Sequence, residues 1–299
     1  MGVRNVRETG TVSVRRNIQH HSPREGDGMV NLIVAAAVAV ATPTAAPVEP
    51  AADPAAAEPA MFVVGDADTT VYIFGTFHAL DGQTQWFGDK VRNAFEQSNE
   101  LILETVIPER MDQPILATPG FRPPSVTPSA SFLATTRMAI KAGRARGMHV
   151  DNGADTILRH AAEAEGKSVQ GLETLQFQID MFNRMPATMA TPAPSGRNSG
   201  QVVASPMQSL SKAMFDMQAA WKRGDQRVFV SMLSQLKSAS PDTYRMMFTD
   251  RNDRWADWVR ARMQTPGTVF VAVGAGHLAG QDSLLVRLAQ RGITSRRVH

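Results

Sequence analysis

The 299 residues are 43% apolar and 20% charged, enough for one sizeable core and too apolar for wholesale disorder. Cysteine is absent, which excludes disulfides, thiolate metal sites and a cysteine nucleophile and leaves His, Asp and Glu as the available ligand types. The net charge of +3 rests on the first 28 residues. Taking their five Arg from 31 basic residues and their three acidic residues from 28 leaves 26 against 25, a balance that argues against nucleic acid as a partner.

Residues 1–28 form a polar, Arg-rich prefix, expected to be non-native or disordered, with the biological start near Met29. Residues 29–46 run from an apolar stretch into small residues and Pro43, as the core and cleavage region of a secretory signal do, and the stretch is short for a membrane span. Export to the periplasm is expected, with tethering to the membrane or envelope as the alternative. Residues 47–60 are almost wholly Ala, Pro, Glu and Asp and read as a linker. The folded domain is expected over 61–299.

Within it, 61–64 and 69–74 flank the turn Gly65-Asp66-Ala67-Asp68 and predict a hairpin. Helical spacing over 86–97 precedes a buried strand at 101–103, and 108–128 is a Pro/Thr-rich loop. Helices are expected over 132–146 and 151–165, each stopped by glycine, then a strand at 168–172 and a helix over 175–185. An insertion at 186–203 leads to a helical block from 207 to 263, broken near Gly224 and Pro241. The chain closes with a strand at 268–273, a helix over 283–290 and a strand at 293–298. Strands at both ends flank a helical middle, so the sheet must pair distant segments.

Two repetitions carry the chemistry. The strands at 71–74 and 269–273 both end in Gly-x-x-His, at Gly75-Thr76-Phe77-His78 and Gly274-Ala275-Gly276-His277, and imidazoles released at strand ends suit a shared metal or catalytic site. Two further apolar runs end in Glu-Thr, at Glu104-Thr105 and Glu173-Thr174. A terminal carboxylate meets solvent, caps the next helix or faces a cation. Arg251, before the Trp255 and Trp258 stripe, either anchors an anionic or carbonyl group of a substrate or is a solvated or salt-bridged surface arginine. The sixteen methionines, scattered over helical segments, read as core filler. Walker, His-Glu-x-x-His and Gly-x-Ser-x-Gly signatures are missing.

The block from Tyr72 to Glu104 resembles the start of the TraB/GumN family, and Phe270 to Gly280 resembles its end, with Gly171-Leu172-Glu173-Thr174 and Arg251-Asn252 in order between them. Phe77 stands where Ile is commoner. The family is similar to the TIKI metalloproteases and, more distantly, to erythromycin esterases and heme-binding ChaN proteins. The resemblance implies a mixed α/β fold of internally duplicated strand-helix units around a central sheet, with a helical middle insertion. It also implies a shared site of His78, His277 and Glu104, with Glu173 as the counterpart from the other half. The expected reading is a divalent metal, manganese, cobalt or zinc, on His78, Glu104 and His277 with Glu173 and Arg251 catalytic, the two glutamates being interchangeable as ligand and base. The implied activity is metal-dependent hydrolysis of a peptide or small carbonyl substrate. Its rivals are a heme- or ligand-binding envelope protein without turnover, and a structural partner in polysaccharide or envelope biogenesis.

Overall fold

Valine, isoleucine and phenylalanine dominate the strands that carry the two Gly-x-x-His motifs, a composition suited to strands covered on both faces. The computed structural model describes residues 58–107, 130–184 and 206–298. The expected prefix, signal, most of the linker, the Pro/Thr-rich loop and the 186–203 insertion therefore lie outside the described residues. Among the described residues, no helix is long and apolar enough to cross a membrane.

Strands β1 (Met61–Gly65) and β2 (Thr69–Thr76) form the predicted hairpin, its turn held by Asp66, whose Oδ1 accepts from the backbone of Asp68 and Thr69. Helix α1 (Asp89–Gln97) leads to β4 (Glu100–Thr105), after the short β3 (Leu80–Asp81). Helix α2 (Ala130–Arg144) leads through β5 (Met148–His149), which pairs with β3, to a 3-10 turn at Val150–Asn152. Gly153 splits the helix expected from residue 151, so α3 begins at Ala154 and ends at Ala164. Then come β6 (Ser168–Glu173) and α4 (Leu175–Asn183).

The expected helical block contains α5 (Pro206–Lys222), α6 (Arg227–Ala239), α7 (Pro241–Tyr244), a π-helical turn at Arg245–Thr249 and α8 (Asp250–Arg262). Strand β7 (Gly267–Gly274), a 3-10 turn (Ala275–Leu278) and α9 (Leu284–Gln290) follow. The last strand, expected over 293–298, shrinks to β8 (Arg296–Arg297), because only two residues pair with β1.

The six-stranded sheet has the order β6-β4-β7-β2-β1-β8. Strands β6, β4, β7 and β2 run parallel, and β2 and β7, almost two hundred residues apart, align from Thr69↔Gly267 to Thr76↔Gly274. The repeated segments are thus neighbours in space, β2 beside β7 and β4 beside β6. Alternation sends Phe74, Leu101 and Phe270 to one face, under helices α1, α3, α5 and α6. Val71, Ile73, Ile102, Val269 and Val271 go to the other, under Trp255, Ala256 and Val259 of α8 and Leu284 and Leu288 of α9. A parallel sheet covered on both faces exposes its chemistry at the carboxyl ends of its strands.

Candidate functional site

Glu173 and Glu104 lie at the ends of β6 and β4, and His277 and His78 just beyond those of β7 and β2, so one ionisable side chain stands at the carboxyl end of each of four adjacent parallel strands. Gly274 lies at their centre. A Cβ there would stand 3.1 Å from Glu104 Oε1, 3.2 Å from His78 Nε2 and 3.8 Å from His277 Cδ2. Glycine at this point lets all three side chains approach the end of β7.

His78 Nδ1 lies 3.2 Å from Asp155 Oδ1, in the first turn of α3. The α3 start is fixed against this corner because Ala154 N donates to Phe77 O at 3.0 Å, and Gly153 passes so close to the His78 carbonyl that a side chain would collide with it. Burial pushes the imidazole toward neutrality. The charge and hydrogen bond of Asp155, assisted by Glu104, outweigh that, and its pKa is raised.

His277 sits in the 3-10 turn after β7, its ring centroid 4.4 Å from Trp255 and 4.9 Å from Phe248. Asn252 Nδ2 donates to the Asp282 carbonyl at 2.8 Å, which turns Asn252 Oδ1 toward His277 Nδ1 at 2.7 Å. Nδ1 therefore carries the hydrogen, and the Nε2 lone pair faces Arg251 Nη1 at 3.2 Å. Burial above all, then Arg251 and His78, push this imidazole down to about 3 against the pull of Glu104.

Arg251 is only 3% exposed. Its Nε and Nη2 donate to Glu173, Nη2 also donates to Glu104 Oε2 at 2.6 Å, and Nη1 reaches Met247 O and His277 Nε2. All five N–H groups of a guanidinium are spent in this way. Glu104 Oε1 accepts from Gly274 N at 2.6 Å. Burial would raise the Glu104 pKa, but Arg251, then His277 and His78, hold it well below the usual carboxylate range. Arg254 also reaches Glu173 Oε1 at 3.3 Å. The helix-capping role considered for Glu173 is filled instead by Thr174, whose hydroxyl accepts from Phe177 N.

The cluster opens into a cavity of about 700 Å³, counted to its mouth, between the strand ends and helices α5, α6 and α8. His78, Glu104, Arg251 and His277 contribute its ionisable lining, and Phe182, Met214, Met217, Phe229, Met247 and Phe248 most of its apolar lining. A smaller chamber on the other side of His78 is bounded by Thr105, Asp155 and Gln178.

The sequence profile of the TraB/PrgY/gumN family matches residues 60–126 and 123–297, nearly the whole described part of the chain. The chain belongs to the TraB/PrgY/gumN family. No curated protein and no solved structure matches it.

In this TraB/PrgY/gumN protein, all five site residues expected from sequence come together. Arg251, read as an anchor or a surface ion pair, is a buried clamp on two glutamates brought from remote segments. Asp155 and Asn252, which set the two histidines, carry no signal of their own in the sequence, although Asn252 was legible as the neighbour of Arg251.

The donor chemistry suits a divalent ion. Both histidines hold Nδ1 with a side-chain oxygen and turn Nε2 inward, as metal-ligating imidazoles do. Glu104 Oε1 and His277 Nε2, 3.7 Å apart, could share one ion with bond lengths of about 2.0–2.2 Å. The closure differs. Among the described residues, no three His, Asp or Glu side chains meet in metal-holding geometry, and the Arg251 guanidinium already supplies the positive charge against Glu104 and His277.

Proposed function

We propose that this protein is an exported hydrolase acting on a carbonyl substrate, a peptide being the foremost candidate. The observation that carries the reading is the convergence of His78, Glu104 and His277 around Gly274 at adjacent strand ends, facing one cavity. Perturbed titratable groups that converge on a pocket mark a reaction site. Manganese, cobalt or zinc on His78, Glu104 and His277 would require these three side chains to draw together and Arg251 to give up its contacts with Glu104 and His277, and when bound would polarise a carbonyl and acidify a water.

The chain's own residues divide the remaining work. His78, oriented by Asp155 with Nε2 toward the cavity, has one lone pair to offer: it holds the ion when one is bound, and in an ion-free site it takes a proton from water and returns it to the leaving group. Glu173 is poorly placed for that task, because guanidinium donors occupy both of its oxygens. It positions Arg251. Arg251 in turn fixes Glu104 and His277, and its Nη1 edge, at the cavity, can exchange the His277 contact for a substrate oxygen. His277 stays neutral and keeps a lone pair on Nε2.

The test is a peptide-mixture digest read by mass spectrometry, with the protein loaded in turn with manganese, cobalt and zinc. Hydrolysis is expected, falling at least a hundredfold in His78→Ala and His277→Ala variants that remain folded. Equal cleavage by the double variant would remove the reading. The apolar wall supports a second reading, a heme- or ligand-binding envelope protein without turnover. A Soret band that appears on heme addition and disappears in His78→Ala, without any cleavage, would favour it. An envelope-assembly role without a ligand is favoured if the double variant leaves metal content and thermal stability unchanged.

A further inference from the structure

The cavity is chemically asymmetric, and the asymmetry restricts what can enter. Among its ionisable groups, each that can carry positive charge already has a carboxylate beside it: Arg251 has Glu104 and Glu173, His78 has Asp155, and His277 has Glu104. No unpaired cation remains among the described lining residues to receive a free acid. The apolar lining beside these groups, made by Met214, Met217, Phe229, Met247 and Phe248 with Phe182, offers flexible thioethers and aromatic rings.

The π-helical turn supports a built site. It holds Met247 and Phe248 at the cavity, ties the Met247 carbonyl to Arg251 Nη1 at 3.3 Å and sets Phe248 against His277, so one backbone irregularity joins the apolar wall to the polar cluster. Such single-turn insertions concentrate at functional sites.

We propose that this wall is the acyl or side-chain subsite of the reaction center, so that the substrates are neutral amides or esters whose carbonyl carries an extended apolar group. The inference rests on the hydrolase reading for the word substrate, but the subsite is tested by binding alone. The full chain is titrated calorimetrically with N-acetylglycinamide, N-hexanoylglycinamide and N-hexanoylglycine, and the methionine methyl resonances are followed by NMR. The hexanoyl amide should bind at one site at least tenfold tighter than the acetyl amide, and tighter than the hexanoyl acid. The methyls of Met214, Met217 and Met247 should shift while that of Met263, on the opposite face of the sheet, stays put.

A Phe229→Ala variant should move the preference toward an octanoyl amide. Equal affinity for the acetyl and hexanoyl amides, tighter binding of the acid, or shifts spread over methionines outside the cavity would overturn the subsite. Peptide hydrolysis without this chain-length preference sinks the subsite and leaves the hydrolase reading intact; the preference without hydrolysis does the reverse.

Discussion

The two Gly-x-x-His corners are written in the same letters and end in opposite electrostatic states. His78 faces an aspartate, and its pKa is raised; His277 faces an amide, two aromatic rings and a guanidinium, and its pKa falls to about 3. The motif supplies an imidazole at a strand end. Its protonation bias is set by the surroundings of each ring, Asp155 beside His78 and, at His277, burial above all and then Arg251. One corner is suited to carry a proton and the other to keep a lone pair.

The harshest way to break this contrast is to remove the guanidinium. Arg251→Leu leaves Glu104 and Glu173 buried without their main counter-charge, and should lower stability by about 3–5 kcal/mol in urea unfolding. Asp155→Leu, at a corner where the carboxylate is a quarter exposed, should lower it far less. Comparable losses at the two corners would contradict the assignment of Arg251 as the clamp.

Next in size is Gly274→Ala, which inserts a methyl group between the corners. The new atom meets Glu104 and His78 at contact distances tighter than usual, so stability should drop by about 1–3 kcal/mol, with a tenfold or larger loss of any hydrolysis. Unchanged turnover would mean that the three side chains need not crowd together.

A gentler manipulation exchanges the partners. Asn252→Asp gives His277 the kind of neighbour His78 has, and its pKa should rise from about 3; Asp155→Asn should bring the His78 pKa down. Imidazole NMR titrations read both, and an unmoved His277 would show that the amide does not set it.

The smallest effect is on pH-dependent stability of the wild-type protein. His277, lowered on folding, contributes stability above about pH 6.5 that is lost as pH falls. His78, raised on folding, contributes below about pH 6.5 and loses its contribution as pH climbs through the raised value. Denaturation midpoints from pH 5 to 9 should therefore fall at both ends, with the alkaline loss absent in Asp155→Asn.

Much of the fold was legible because it depends on local periodicity: the first hairpin, the buried parallel strands and the glycine-stopped helices all announce themselves. The start of the end strand was overdrawn, since Ile293 and Thr294 are apolar or β-branched but pairing with β1 begins only at Arg296. The π-helical turn within 241–262 has no periodic signature that separates it from α-helix. At the site, the Gly-x-x-His and Glu-Thr repeats marked four of the strand ends, because glycine punctuation is local. Asp155 was invisible, since an Asp in a first helical turn is common on dipole grounds alone. Arg251 shows the same limit: only the assembled sheet brings its glutamates, 147 and 78 residues away, within reach.

The saturation of Arg251 has one more consequence. A ligand that claims Glu104 Oε2 or His277 Nε2 must evict an N–H already bonded there, so occupancy is an exchange reaction rather than the filling of a hole. Lysine, with three hydrogens radiating from a point, could not serve as many acceptors, and a single Arg251→Lys change should loosen the whole rim at once.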